Sequence, residues 1–404
     1  MHQLLPASLR RRRPGRIRPR LDGLLDALAE LGDPQLDFPS ILIVGTNGKG
    51  STAAMVEAIL AAHGLTVGLY TSPHLVRVEE RIRIGGEPIS SDRLETTLQT
   101  LEKFDDLTFF ETVTAAAMLS FGASRVDGVV LEAGMGGRWD ATRVARSAIA
   151  GLTNVGSDHS GWLGELLSER AADKGAALMA ADRRVIGADV SPELVTHLGP
   201  GPFQSANELV TVEQVDRSVV RLAWDDEYVE AAMPFLGEHQ LANLQLAVAL
   251  ARVAVSEGWT ESLRPEAVAD GLERVRWPGR LTTHRIADRR VLLDCAHNAE
   301  GAAALARHLE HRPILYHLLF SCLDDKPVER MAEELRPQVG NIVVFRLDDD
   351  RAMSLERLTA AFPEAGVAPS MIEGLRALPD PVVAAGSIRV VGGLLALAEE
   401  EVTE

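Results

Sequence analysis

Lys49 stands in "ILIVGTNGKGST", residues 41–52, where an apolar run ends in glycines and a hydroxyl residue. Glycines at 45, 48 and 50 let successive backbone N–H groups point inward, and a helix opening at Ser51 would add its N-terminal partial charge. The Lys49 amine can then reach outer phosphates, and Ser51 can approach a magnesium ion. An ordinary phosphate loop runs glycine, four residues, then Gly-Lys-Ser or Gly-Lys-Thr. Here Gly50 separates Lys49 from Ser51, and Gly45 is too close to Gly48 for that pattern. Phosphate binding remains the stronger reading, because a turn built only for packing has no need of Gly, Lys and Ser together.

Other segments carry groups able to serve the same chemistry. Ser72 in "YTSPHL" offers an oxygen for a hard cation, although Ser-Pro is also ordinary turn chemistry. Glu132 ends the apolar run of "VVLEAGMGGRWDA", where a carboxylate must be paired, protonated or bound to metal. "LTNVGSDHSGWLG" presents Asp158 and His159 between glycines, and an imidazole can join carboxylates and waters around a divalent ion. Lys174 in "ERAADKGAALM" has the spacing of a helix-surface lysine; held neutral by burial, it could attack CO₂ and become an anionic carbamate. His239 and Asn243 share a helix face, with Gln240 beside them, so amides there could read a nucleobase edge or cap a helix. Arg280 in "WPGR" could reach a phosphate, and "LLDCAHN" sets Asp294, His297 and Asn298 at the end of another strand.

These residues need elements to hold them at strand ends. Strand "ILIVG", helix "GSTAAMVEAILAAHG" and strand "TVGLYTS" are followed by a helix from about Thr112 to Phe121 and by strands "DGVVLEAG" and "SAIAGLTNVG". Alternating strands and helices predict an α/β protein with a mostly parallel sheet, whose ligands bind beyond the strands' carboxyl ends. Gly45, Ser72, Gly134 and Asn154 all fall at such ends. After an irregular, strand-leaning stretch over 183–234 and a helix "HQLANLQLAVALARVAVSEG", the strand "RRVLLDCAHN" opens a second, Rossmann-like series. The expected organisation is an N-terminal basic arm and helix over 1–38, an ATP-binding domain over 39–285, and a C-terminal α/β domain over 286–404.

The bulk composition restricts the partners. The 404 residues include 58 acidic and 41 basic ones, a formal charge of −17 that argues against bulk binding to nucleic acid or an anionic membrane. Cys295 and Cys322 make neither a disulfide framework nor a zinc spacing, which suits the cytoplasm. No apolar run is long enough for a membrane span. The arm "LRRRRPGRIRPR" has the composition of an organelle transit peptide, but Pro6, Pro14 and Pro19 interrupt a continuous amphipathic helix. A solvated basic arm is the expectation.

In order and spacing these segments resemble the folylpolyglutamate synthase and dihydrofolate synthase family, a branch of the Mur-type ATP-dependent amide ligases. The resemblance runs from Pro39 to about Gly392 and includes "VGTNGKGST", "YTSPHLVRVEERIRI", "FFETVTAAA", "LEAGMGGRWDAT", "TNVGSDHSGWLG", "ADKGAAL", "GEHQLANLQLA", "WPGRL", "LDCAHN", "DDKP" and "AAGSIRVVGG". It implies a P-loop-type domain followed by a smaller Rossmann-like domain. It also implies that Asn47, Gly48, Lys49, Gly50 and Ser51 hold the ATP phosphates. Ser51, Ser72, Glu132, His159 and a carbamylated Lys174 would hold two Mg²⁺ ions, with a monovalent cation such as K⁺ as a further candidate. Asn243, Arg280 and Asp294 would contact adenine, phosphate and ribose. Thr108, Phe109, Phe110 and Glu111, with Trp139, Asp140 and Ala141, would border the pterin. His297 and Ser387 would receive L-glutamate, and Lys49, Lys174 and His297 are the candidate catalytic groups. The chain departs from the family at Arg143, at Gly175-Ala176 and at Ala299, and its N-terminal segment is Arg- and Pro-rich.

The reaction so implied phosphorylates a carboxylate, so that phosphate rather than oxide leaves when the glutamate amine attacks. A monomer acting on small molecules (folate or dihydropteroate, L-glutamate and ATP) is expected. Two alternatives stay open: a Mur-type ligase for another carboxylate such as a cell-wall precursor, and a nucleotide-binding switch without ligase activity.

Overall fold

The computed structural model describes residues 5–12, 19–158, 160–216 and 218–403. His159 and the arm residues Arg13, Arg16 and Arg18 lie outside the described residues. The chain divides into two units: Met1–Pro234 with Gln240–Arg276, and Phe235–His239 with Trp277–Glu404.

The first unit is built on one sheet of β1 (Ser40–Val44), β2 (Val67–Tyr70), β3 (Ile82–Ile84), β4 (Glu87–Pro88), β5 (Gly128–Glu132), β6 (Ile149–Leu152), β7 (Arg183–Ile186) and β8 (Gln204–Ser205). Its order is β4-β3-β2-β5-β1-β6-β7-β8. Strand β3 pairs antiparallel with both β2 and β4; the other pairs are parallel. Every residue of β1, β2, β5 and β6 is buried. A parallel sheet is covered on both faces, which is why these strands read as continuous apolar runs rather than alternating ones. Because β1 lies between β5 and β6, the chain ends converging at its carboxyl edge come from both halves of the sheet, the usual position for a ligand crevice.

Helices α1 (Ala7–Arg10), α2 (Asp22–Glu30), α3 (Lys49–Ala62), α4 (Ser91–Thr100) and α5 (Phe109–Ser124) belong to the same unit. The α3 and α5 helices bury most of their circumference, as helices without a marked polar face do. The α5 helix begins at Phe109, earlier than the apolar periodicity predicts, because Thr108 and Glu111 form a capping box: Thr108 N–H donates to Glu111 Oε2 at 2.7 Å and Glu111 N–H donates to Thr108 Oγ1 at 3.2 Å. Next come the single turn α6 (Ser160–Leu163), then α7 (Leu167–Leu178), and the short turns α8 (Pro192–Val195) and α9 (Ala206–Leu209).

The irregular stretch resolves into β7 and β8 of the main sheet and a separate antiparallel sheet of β9 (Thr211–Gln214), β10 (Val219–Trp224) and β11 (Glu227–Ala232). Val220, Leu222 and Trp224 face inward, while Arg221 bridges Glu213 and Glu230 outside. Helix α10 (His239–Ser256) then returns to the core, and α11 (Pro265–Arg274) packs against both α3 and β11.

Part of the arm is bound rather than solvated. Leu5 and Leu9 join the same apolar cluster as Leu94, Leu98 and Leu101, and the Arg12 guanidinium donates to three backbone carbonyls of the segment between α4 and α5.

The second unit has a six-stranded sheet of β12 (Arg280–Ile286), β13 (Arg289–Asp294), β14 (Tyr316–Phe320), β15 (Val339–Val344), β16 (Gly366–Val367) and β17 (Val382–Ala385), ordered β12-β13-β17-β14-β15-β16. All pairs are parallel except β12–β13. The hairpin of β12 with β13 places Arg280–Ile286 in this unit, although the sequence reading drew its division at 286. Helices α12 (Ala299–Glu310), α13 (Val328–Leu335), α14 (Leu355–Ala361), α15 (Met371–Ala377) and α16 (Ile388–Thr403) complete the unit. Its core includes the Phe320 and Phe362 rings, with centroids 4.9 Å apart. Among the described residues no helix is long and apolar enough to cross a membrane.

Candidate active site

The glycine loop joins β1 to α3 and is pinned from the neighbouring strand. Asn47 N–H donates to Asn154 Oδ1 at 3.0 Å, and its carbonyl accepts from Thr153 Oγ1 at 2.6 Å and Asn154 Nδ2 at 3.2 Å. Gly156 N–H donates to Thr46 Oγ1 at 2.8 Å. Thr153 also explains Gly45: with φ of 151°, a Cβ there would lie 1.8 Å from Thr153 Oγ1. The N-cap of α3 is Gly48, which supplies no side-chain acceptor to the first turn. Its N-terminal N–H groups and partial positive charge therefore suit an anion. Ser51, in that turn, is buried, and the Asn243 amide faces Gly48 while donating to Gln240 Oε1 at 2.9 Å.

Two lysines from different helices meet on this loop. Lys49 Nζ donates to Gly45 O at 3.1 Å and to Thr46 O at 3.0 Å, and Lys174 Nζ donates to the same Gly45 O at 3.2 Å. Lys174 is only 2% exposed. Burial first, and then the charge of Lys49, lowers its pKa to about 7, against the opposing pull of Asp173 and Asp158. A substantial neutral fraction is thus present near pH 7, the form an amine needs to be nucleophilic. Its placement depends on Gly137, where a Cβ would lie 2.9 Å from both Asp173 O and Lys174 Cα. That glycine seats α7 against the loop. Asp173 Oδ2 is buried and has no hydrogen-bond partner.

Ser72 and Glu132 come together at adjacent strand ends: Ser72 N–H donates to Glu132 Oε2 at 2.9 Å. Behind them lies Arg81, a buried guanidinium that the motif reading missed. Its Nε donates to His74 Nδ1 at 2.9 Å, and it stands 5.3 Å from the Phe109 ring centroid. Burial lowers its pKa, while Tyr70, Glu132 and Glu80 act to raise it. Nothing local marks Arg81 as buried among the charges of "VRVEERIRI"; its value comes from β3 folding back onto β2. The pair Thr153-Asn154, just after β6, was legible only as a strand end, not as the clamp on the loop.

The candidate acceptor segments mix structural and available groups. Thr108 and Glu111 are engaged in their capping box, Phe109 is buried, and Phe110 is half-buried, its ring centroid 6.0 Å from that of Tyr70. Asp140 is buried: Oδ2 accepts from Met135 N–H at 2.9 Å, and Oδ1 accepts from Thr142 N–H at 3.0 Å and Thr142 Oγ1 at 2.6 Å. Burial raises its pKa against those hydrogen bonds. Ala141 is buried too, so of these candidates it is Trp139, 49% exposed, that the loop presents outward, beside the exposed Arg138.

In the second unit, Arg280 and Asp294 face each other across β12 and β13, beside a bulge at Leu281. Asp294 Oδ2 accepts from Leu281 N–H at 3.2 Å and Oδ1 from Ala296 N–H at 2.9 Å. Burial raises its pKa, and Arg280 pulls it back. His297 Nδ1 lies 3.0 Å from Cys295 O, and Asn298 caps α12 through Gly301 N–H at 2.8 Å. Gly386 N–H donates to Ala296 O at 2.9 Å, which brings the turn holding His297 beside the turn holding Ser387. Ser387 Oγ accepts from Arg389 N–H at 3.2 Å, and His239 is exposed.

Among the described residues, no group of three or more His, Cys, Asp and Glu side chains is placed to hold a metal ion. The candidate set instead combines the hydroxyls of Ser51 and Ser72 with the Glu132 carboxylate and Lys174.

Two family models match the chain: the Mur ligase middle domain over residues 43–251 and the Mur ligase glutamate ligase domain over 279–391. A probable bifunctional folylpolyglutamate synthase/dihydropteroate synthase of Halobacterium salinarum is 35% identical over 95% of this chain and 49% of its own length. The chain thus spans about half the length of this relative and of a similar Haloferax volcanii protein, 48% of which is covered. A dihydrofolate synthase/folylpolyglutamate synthase of Mycobacterium tuberculosis is 34% identical over 86% of this chain and 78% of its own. Among solved structures, a M. tuberculosis folylpolyglutamate synthase complexed with ADP and AMPPCP superposes with a TM-score of 0.82 at 30% identity, covering 94% of this chain and 95% of that one. A Yersinia pestis bifunctional folylpolyglutamate synthase/dihydrofolate synthase complexed with AMPPNP and a manganese ion gives 0.79 at 26% identity, covering 96% and 95%. With both ligase domains matched in order and the M. tuberculosis relative 34% identical over 78% of its length, the chain belongs to the folylpolyglutamate synthase/dihydrofolate synthase family of Mur ligases.

Proposed function

We propose that this protein is an ATP-dependent ligase that activates the carboxylate of a folate-type acceptor and joins it to the amine of L-glutamate. The observation that carries the proposal is the meeting of the Lys49 and Lys174 amines on Gly45 O, at the mouth of a glycine loop that opens α3. Such a loop holds a polyphosphate, the Lys49 amine balances part of its charge, and the Lys174 amine beside it, brought toward neutrality by burial, is able to take up CO₂.

In the proposed reaction an acceptor carboxylate oxygen bonds to the γ-phosphorus of ATP, and the bond to the β–γ bridging oxygen breaks, releasing ADP. The glutamate amine, having lost its proton, attacks the acyl carbon; the tetrahedral intermediate collapses to the amide and expels phosphate. Asn47, Gly48, Lys49, Gly50 and Ser51 hold the phosphates, while Asn243, Arg280 and Asp294 contact the nucleoside and a phosphate. Trp139 and Phe110 border the acceptor's ring system, and His297 with Ser387 receives glutamate.

The residues fit a hard divalent cation. Ser51, Ser72 and Glu132 are oxygen donors, and Asp173 Oδ2, buried without a hydrogen-bond partner, is an unused acceptor next to Lys174 in the chain. Two Mg²⁺ ions held by Ser51, Ser72, Glu132, His159 and a carbamate on Lys174 are proposed, with K⁺ as a further cation. When bound, such ions offset repulsion among the anionic reactants. The Y. pestis relative's manganese supports the divalent metal.

Glutamate-dependent ADP release, measured with dihydropteroate, with tetrahydrofolate and without acceptor, tests the proposal when products are resolved by mass. Release that requires a pterin acceptor is expected. Release with neither pterin present overturns the acceptor class, and no release under any condition overturns the ligase.

A further inference from the structure

The segment between α4 and α5 ends at Thr108, the N-cap of the helix that carries Phe109 and Phe110. It has no regular structure of its own, yet three of its carbonyls point at one side chain. Arg12 Nη1 donates to Phe104 O at 2.9 Å and Leu107 O at 2.7 Å, and Arg12 Nη2 donates to Leu101 O at 3.2 Å. Two of these carbonyls already accept a backbone bond, Leu101 O from Phe104 N–H at 3.1 Å and Phe104 O from Leu107 N–H at 3.3 Å. Arg12 therefore uses second lone pairs and ties successive turns of the segment together. Only a planar guanidinium, with five donors in a fixed fork, spans three acceptors this way. Its charge also faces Asp105, Glu102 and the capping carboxylate of Glu111.

Arg12 is itself anchored. Its N–H donates to Leu9 O at 3.0 Å, and Leu9 is fully buried in the cluster containing Leu94, Leu98, Leu101 and Leu107. The described part of the N-terminal arm thus reaches the segment that leads into the candidate acceptor residues.

We propose that Arg12 is a positioning residue for acceptor binding: it fixes the segment that delivers Phe109 and Phe110. The inference rests on the reading that residues 108–111 border the acceptor. Arg12→Ala raises the KM for the pterin acceptor about tenfold and leaves the KM for ATP within about twofold, because the glycine loop is held by other residues. Arg12→Lys keeps the charge and stem but not the fork, and recovers part of the loss. Amide hydrogen exchange over residues 101–108 rises in Arg12→Ala ahead of the rest of the unit.

Steady-state kinetics on Arg12→Ala, Arg12→Lys and Phe110→Ala, with thermal melts and hydrogen exchange, decide the matter. An acceptor KM raised in Phe110→Ala but unmoved in both Arg12 variants overturns the proposal alone. An acceptor KM unmoved in Phe110→Ala overturns the reading of the segment and the proposal with it. Equal rises in the KM for ATP and for acceptor, with a lowered melting temperature, reduce Arg12 to general stability and overturn the positioning role. Should Arg12→Ala fail to fold, Arg12→Lys alone gives the same split between the two KM values.

Discussion

The carboxyl edges of the two sheets carry similar residue types but use them differently. At the edge of β1 and β6, backbone and neutral groups (Thr46, Asn47, Thr153, Asn154) do the holding. The Lys49 and Lys174 amines are left to converge on one carbonyl. At the edge of β13 and β17, the candidate ligand groups hold their own turns. Asp294 secures Leu281 and Ala296, Asn298 caps α12, and Ser387 secures Arg389. Substitutions at the first edge should therefore remove chemistry with little structural cost, whereas those at the second should mix a structural loss with a smaller binding loss.

The sharpest break of that contrast is at Lys174. Lys174→Ala is expected to lower amide formation by at least about 10³-fold, with nucleotide binding retained through the glycine loop. Glutamate-dependent ADP release and titration with a fluorescent nucleotide measure the two separately. Recovery on adding formate or acetate indicates that a carboxylate, and hence a carbamate, is what Lys174 supplies. Near-normal turnover without such additives removes Lys174 from the mechanism.

What was legible in the sequence follows the same division. Strand ends and the glycine loop are local patterns, so the parallel α/β sheets and the position of the loop could be read directly. The capping box of Thr108 and Glu111 was equally local; the apolar periodicity drew attention away from it, and the start of α5 was placed late. Arg81 and Arg12 were not legible: the burial of Arg81 depends on β3 folding back onto β2 and on Glu132 at the end of β5, and Arg12 gains its partners from the distant 101–107 segment. The role of Gly137 is hidden for a similar reason, since only the fold brings α7 against it. The antiparallel strand β12 was assigned across the division because its partner, β13, is recognisable only once the hairpin forms.

Lys174 also makes a prediction about stability. Its pKa falls from 10.5 to about 7 in the folded protein, chiefly through burial. Below pH 7 both states carry the proton; between about 7 and 10.5 the unfolded chain alone does, so the unfolded state binds more protons and stability rises with pH. Relative to Lys174→Met in CO₂-free buffer, the native protein should gain about 2 kcal/mol between pH 7 and 9. Urea midpoints of the two proteins across that range provide the measurement. Parallel curves indicate that the amine keeps an ordinary pKa and that its burial is relieved by something other than proton loss.

The smallest effect is expected at Asp294. Asp294→Asn retains one carbonyl oxygen for either Ala296 or Leu281 N–H and surrenders the other acceptor to an amide donor. The charge facing Arg280 disappears as well. Because burial raises the Asp294 pKa, the fold disfavours the carboxylate relative to its neutral form, so the cost of the substitution, about 1 kcal/mol, comes from the lost backbone acceptor rather than from the lost charge. If Asp294 also contacts the nucleotide, the KM for ATP rises about three- to tenfold, since one hydrogen bond to a sugar hydroxyl is worth that much. A melt shifted without a change in the KM for ATP assigns Asp294 to its turn alone. A loss of turnover as deep as that of Lys174→Ala, with the melt unchanged, erases the distinction between the two edges, because Asp294 then acts in the chemistry as directly as the lysine does.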